Sequence, residues 1–177
     1  IMKASVYIAT SLDGYIARRN GDIDWLHNPE YTLEGEDFGY SAFMDSVDVI
    51  VMGRNTFDKV LSFGGWHYSK PVYVLTSREL DLPDSLKSKV FRISGSPLKV
   101  MDELNSMGFS HIYVDGGITI QAFKKARLID RFIITRIPKM LYEGIPLFDP
   151  SKPDWDLNIH SVKEFDNGFV QLTCHPI

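Results

Sequence analysis

Short apolar runs alternating with helix-period segments constrain this chain more than any other feature. The runs extend from Ala4 to Ala9, Val49 to Met52, Val72 to Leu75, Val90 to Ile93, Ile112 to Val114 and Phe132 to Ile137. Most lack polar alternation, as strands covered on both faces do. Helical segments between them predict a largely parallel sheet with helices packed on it. Ser96 can cap a helix that opens on Pro97, places Val100, Leu104 and Met107 on one face and stops at Gly108. Ile118, Ala122 and Ala126 recur at four-residue spacing. Phe57, Val60 and Leu61 mark a shorter helix, and Phe38, Ala42 and Phe43 another. Near the C-terminus, Asp166-Asn167-Gly168 separates two apolar stretches, Leu157 to Phe165 and Phe169 to His175, which is a hairpin signal. The expectation is a single α/β domain over residues 1–177, a mainly parallel sheet ending in an antiparallel hairpin.

Bulk properties agree and remove several functions. A chain of 177 residues with 44% hydrophobic and 24% charged residues can bury a core without disulfides or metal. Net charge is −4 with no basic face, which argues against nucleic acid as a partner. Cys174 is the single cysteine, so no intramolecular disulfide forms and a reducing compartment is the natural reading. No apolar run reaches the roughly 18 residues of a membrane span, and the N-terminal residues lack a signal-peptide pattern. A cytoplasmic, membrane-free protein is expected. Ile1, ahead of Met2, is set aside. The five histidines lack metal-ligand spacing and one cysteine cannot complete a zinc site, so no metal is expected. Neither a nucleophile elbow nor a Walker A loop is present.

Three turns follow strands, where ligands bind in open α/β sheets. In Gly53-Arg54-Asn55-Thr56 a helix start offers N–H groups to an anion and Arg54 adds a forked cation; the plainer reading is a routine turn. Thr76-Ser77-Arg78 can hold a phosphate monoester or form a solvated cap. Gly116-Gly117-Ile118-Thr119 allows a pyrophosphate to lie on the backbone, or needs glycine only for positive φ. The dinucleotide fingerprint spacing is absent. Ser62-Phe63-Gly64-Gly65-Trp66 follows a helix and reads as a connection or lid. Ser11 to Ala17 forms a loop expected to be mobile, with Ile16 and Trp25 beyond it suited to cover a flat ring or to join the core. Asp24, Glu34, Glu36 and Asp37 lie close together, and such acids are either solvated or, when partly buried, useful in proton transfer.

Taken in order, Ser11-Leu12-Asp13-Gly14-Tyr15-Ile16-Ala17, Val51-Met52-Gly53-Arg54-Asn55-Thr56-Phe57, Val74-Leu75-Thr76-Ser77-Arg78, Val114-Asp115-Gly116-Gly117 and Gly144-Ile145-Pro146-Leu147-Phe148 resemble the dihydrofolate reductase superfamily. Within it they look most like the reductase domain of bacterial bifunctional riboflavin biosynthesis proteins, the RibD C-terminal domain. The resemblance implies a three-layer fold with an eight-stranded sheet, helices on both faces, and an oxidoreductase using NADPH. It places Gly53, Arg54, Asn55 and Thr56 at the cofactor phosphates and Thr76, Ser77 and Arg78 at the 2′-phosphate. Gly116, Gly117, Ile118 and Thr119 fall at the pyrophosphate, and Ala9 and Ile16 at the nicotinamide. It also implies a cis bond between Gly116 and Gly117, and a homodimer.

The implied reaction is hydride transfer to a C=N bond of a pterin-like or ribosylaminopyrimidine substrate. Asp37, or a water it orders, would assist protonation, and Tyr7, Trp25 and Phe38 would wall the ring. Residues 26–36 read as an insertion ahead of that acid, and Arg131 and Tyr142 stand where the family usually has an acid and a glycine. A phosphorylated pathway substrate, 5-amino-6-(5-phosphoribosylamino)uracil, is the alternative; it would need cations, for which Arg18, Arg19 and Lys139 are the candidates. A non-catalytic nucleotide-binding module is the rival of another class.

Overall fold

The computed structural model describes residues 1–177. In chain order its elements are β1 (Lys3–Ser11), β2 (Tyr15–Ala17), α1 (Tyr40–Ser46), β3 (Val49–Gly53), α2 (Arg54–Ser62), β4 (Val72–Leu75) and β5 (Val90–Ile93). There follow α3 (Pro97–Ser106), β6 (His111–Asp115), α4 (Gly117–Lys125), β7 (Arg131–Ile137), β8 (Ile145–Pro146), β9 (Leu157–Glu164) and β10 (Val170–Pro176). Eight strands form one sheet in the order β5-β4-β3-β6-β1-β7-β10-β9, and β2 pairs with β8 in a separate ribbon. Pairing is parallel from β5 through β4, β3 and β6 to β1, and antiparallel among β7, β10 and β9. The predicted α/β architecture, hairpin included, is therefore found.

The chain divides into two compact units, one of residues 1–6 and 42–129, the other of residues 7–41 and 130–177. In the first, the unalternating run Val49-Ile50-Val51-Met52 is buried throughout, which is what its composition demanded. Edge strand β5 buries only Val90 and Ile93 at its ends. Helix α3 starts as its sequence indicates: Ser96 Oγ accepts from Lys99 N, Pro97 takes the first position, and Gly108 at φ 96° ends the turn. Two faces differ from expectation. Met107 lies past the end of α3 and is half exposed, so Val100, Met101 and Leu104 form the buried stripe. On α4 the buried residues are Thr119, Ile120, Phe123 and Lys124, while Ile118 is 75% exposed. The larger apolar area of Phe123 decides which stripe faces inward.

In the second unit Trp25, Ile137, Leu141 and Phe169 form the core, with Phe38, Phe165 and Tyr31 packed against it. The hairpin closes through Phe165 N to Phe169 O (2.9 Å) and Gly168 N to Phe165 O (3.0 Å), with Gly168 at φ 90°. This is a three-residue loop with a bulge glycine, not the two-residue Asn-Gly turn. Phe38 lies outside α1 because its φ is 56°, so that helix begins at Tyr40.

The loop after β1 was expected to move, but it is tied down. The Asp13 carboxylate accepts from Ser11 Oγ (2.6 Å), Leu141 N (3.2 Å) and Tyr142 N (2.7 Å), and Leu12 N donates to Lys139 O. Desolvation, the largest single influence, pushes the Asp13 carboxyl up, but these bonds together outweigh it and hold the group below its usual range. Tyr142 takes φ 64°, a conformation glycine adopts without strain.

Candidate functional site

Strands β3 and β6 are parallel neighbours with Met52 opposite Asp115, so their next residues, Gly53 and Gly116, begin two adjacent strand-to-helix turns. The turns are keyed to each other. A Cβ on Gly53 would lie 2.8 Å from Thr119 Oγ1, and a Cβ on Gly116 would overlap Thr56 Oγ1. Each glycine makes room for the threonine of the opposite helix start. Both glycines are thus required by the protein's own packing, whatever binds there. Gly116 also needs its φ of 95°. All peptide bonds are trans, so the cis Gly116-Gly117 bond implied by resemblance is not found; the turn is made by positive φ instead.

The helix starts leave backbone N–H groups at residues 54–56 and 117–119 without intrahelical acceptors. Gly53 and Gly116 offer no side-chain cap to them. Arg54 bonds Asp58 at 3.1 Å and reaches the Glu79 carbonyl at 3.5 Å, which ties the first turn to the loop carrying Thr76, Ser77 and Arg78. In that loop Arg78 N donates to Thr76 Oγ1 at 3.2 Å, and Ser77 and Arg78 are exposed. A second guanidinium joins it: Arg92 on β5, paired with Val74, donates to Ser77 O at 3.3 Å. Sequence reasoning missed Arg92, because only the β4–β5 register brings it there.

Asp115 ends β6 beside this cradle. Loss of solvent pushes its carboxyl up to about 6, against the pull of Gly116 N–H, the nearby His67 and a hydrogen bond from Tyr113. It too escaped the sequence reading, where it served only as part of a motif. No group of acids, histidines or cysteines is arranged to hold a metal ion, and no helix is long and apolar enough to cross a membrane.

The second unit holds a cavity of about 590 Å³, mostly apolar, within the range of small-molecule sites. Tyr7 and Ala9 on β1 and Thr135 and Ile137 on β7 line it, two residues apart on each strand as one face of a strand requires. Phe38 and Phe169 add aromatic wall, their ring centroids 5.0 Å apart. The wall is fixed by bonds to strained backbone: the Phe38 carbonyl accepts from Tyr7 Oη (2.8 Å) and Gln171 Nε2 (2.7 Å). A non-glycine residue at positive φ held by so many partners is typical of functional positions. Burial, then Asp37, pushes the Tyr7 hydroxyl up to about 12, so it stays protonated.

Ile16, on β2, is 7% exposed. Trp25 is buried in the unit's core and does not line the cavity, and its Nε1–H meets no protein acceptor. Asp37 is exposed, and its two oxygens accept from Gly39 N and Ser41 N at 3.0 Å, a cap at the start of α1. Those bonds hold its carboxyl below the usual range. Glu36, not Asp37, lines the cavity.

A model of the RibD C-terminal domain matches residues 3–171. A candidate riboflavin biosynthesis protein from Shewanella sp. PV-4 superposes with a TM-score of 0.87 and 43% identity over 99% of each chain. The uncharacterised protein YwjB of Bacillus subtilis (strain 168) is 38% identical over 174 residues, 96% of this chain and 95% of its own. Dihydrofolate reductase from Enterococcus faecalis, solved with NADP(H) and RAB-propyl, shares the fold at a TM-score of 0.64 and 15% identity, covering 98% of this chain and 96% of its own.

Proposed function

The chain belongs to the RibD C-terminal domain family, and on that premise we propose that it is an NADPH-dependent reductase of a flat nitrogen heterocycle, pterin-like or a ribosylaminopyrimidine. The observation that carries the cofactor half is the donor set of the first unit. Two helix starts with unpaired N–H groups stand beside Arg54, Arg78 and Arg92. Such a set suits a pyrophosphate and a separate phosphate monoester. Asp58, the acid within it, is paired with Arg54.

NADPH, when bound, supplies the hydride; the chain's part is to bind, orient and manage one proton. The helix starts and guanidinium groups hold the phosphates. The aromatic walls of the cavity hold the substrate ring, and the Tyr7 phenol anchors Phe38 but does not act as an acid, because it keeps its proton. Asp37, ionised at neutral pH, would serve the proton that must accompany hydride at a C=N bond only by ordering water.

Titration of the protein with NADPH and NADH, followed by nicotinamide fluorescence, tests the reading. Saturable binding with preference for NADPH supports it, and binding of neither nucleotide sinks it. The surface position of Asp37 favours one other reading, a nucleotide-binding module without turnover. Bound NADPH that stays unoxidised with every heterocycle tried would select that reading.

Asp115 makes the binding pH-dependent. An anion held beside it raises its carboxyl further, so the complex takes up a proton as it forms. Affinity for NADPH is expected to fall as pH rises through about 6 to 8, about tenfold if binding lifts the carboxyl by one unit. Asp115→Asn should flatten that profile. A parallel profile in wild type and variant would remove Asp115 from the linkage.

A further inference from the structure

We propose that the cavity of the second unit selects a heterocycle bearing no phosphate, with the Glu36 carboxylate as the charge that rejects phosphate esters. The inference rests on reading that cavity as the substrate site. No lysine or arginine lines it. The lysines and arginines of the same unit are paired, turned away or out in solvent, Lys152 among the exposed ones between β8 and β9. Arg18 bonds Asp24 at 2.7 Å, and Arg19 pairs with Glu143 at 3.2 Å. Arg136 faces away from Thr135 and Ile137 by strand alternation and donates to Leu12 O at 3.4 Å. Arg131 lies four residues before Thr135, about 13 Å along the strand. Lys163 sits over the Phe165 ring, and Lys139 is exposed beyond the end of β7.

What lines the cavity instead is negative. Glu36 is half-buried in the wall, and its Oε2 accepts from Phe38 N at 2.9 Å. Its other oxygen meets no donor from the protein. The hydroxyl of Tyr7 reports the same field, since Asp37 and Glu36 both add to the rise that burial causes there. A phosphate dianion placed in this cavity meets the Glu36 carboxylate and no lysine or arginine, the imidazole of His27 being the one basic group on the wall. A neutral or cationic ring with an amino or ring N–H edge can donate to Glu36 while its faces lie against Tyr7 and Phe38.

The test uses a matched pair of probes, an aminopyrimidine riboside and its 5′-phosphate, titrated calorimetrically into the full chain without nucleotide. Wild type should bind the riboside at least about tenfold more tightly than the phosphate. Glu36→Gln keeps an oxygen for Phe38 N and should bring the two within about threefold, and Glu36→Lys should reverse the order. Equal or tighter binding of the phosphate by wild type overturns the inference. So does a ratio unmoved in both variants, or binding of neither probe. NADPH titration of the same preparations reads the cofactor site separately. If NADPH binds while the phosphate is preferred, the selectivity fails and the reductase reading stands. If NADPH does not bind, the reductase reading fails on its own.

Discussion

Gly116→Ala is expected to lower the melting temperature of this protein by roughly 10 °C, the largest loss of any single methyl addition considered. Two effects add. The backbone at Gly116 sits at φ 95°, where a residue with a Cβ is disfavoured by about 1–2 kcal/mol. The new methyl also overlaps Thr56 Oγ1, and overpacking a filled site costs about 1–3 kcal/mol. A combined loss near 3 kcal/mol corresponds to roughly 6–12 °C for a chain of this length. The double variant Gly116→Ala with Thr56→Ala separates the parts, since it removes the overlap and leaves the backbone strain. It should recover about half of the loss in thermal melts followed by circular dichroism. If the second substitution recovers nothing, the two turns are not keyed as described. Gly53→Ala, facing Thr119 Oγ1 at 2.8 Å with ordinary φ, should be milder.

The reciprocal packing of these turns shows what the sequence could and could not disclose. Gly53 and Gly116 were visible as glycines after strands, and the unalternating runs at Val49 and Ile112 placed those strands in a buried sheet. That the two turns touch depends on β3 and β6 being neighbours with Met52 opposite Asp115, a register no local pattern encodes. The same is true of Arg92, which enters the cradle through pairing with Val74. Phe38 illustrates a second limit. Its apolar spacing with Ala42 and Phe43 is helical, but bonds from Tyr7 and Gln171, distant in sequence, pin its carbonyl and hold it outside the helix. Asp37 was named by resemblance, and a resemblance in sequence says nothing of exposure: two backbone N–H groups claim its oxygens. Glu36, one residue earlier, faces the cavity instead. Periodicity thus disclosed the elements and motif order disclosed the ligand-facing turns. Side-chain roles had to wait for the register.

Removal of both exposed arginines at the ends of β4 and β5 should convert the protein from an NADPH binder into one that treats NADPH and NADH alike. Arg78 lies in the Thr76-Ser77-Arg78 loop, and Arg92 reaches the same loop through Ser77 O. The two cofactors differ by one phosphate monoester, a dianion at neutral pH that two guanidinium groups can grip. Charge-assisted bonds at a solvated site are weakened by screening, so each arginine carries only part of its buried value. Arg78→Ala with Arg92→Ala should weaken NADPH binding roughly 30-fold and leave NADH within about twofold. Added salt should weaken NADPH binding to wild type and affect the double variant far less. Thermal stability should change little, because Arg78 has no acidic partner and Arg92 only a long bond to a carbonyl. An equal loss for both nucleotides would mean that the arginines shape the loop and do not read the phosphate. An unchanged preference for NADPH would move the 2′-phosphate site away from this loop, leaving Arg54, between Asp58 and the Glu79 carbonyl, as the nearest cation to test.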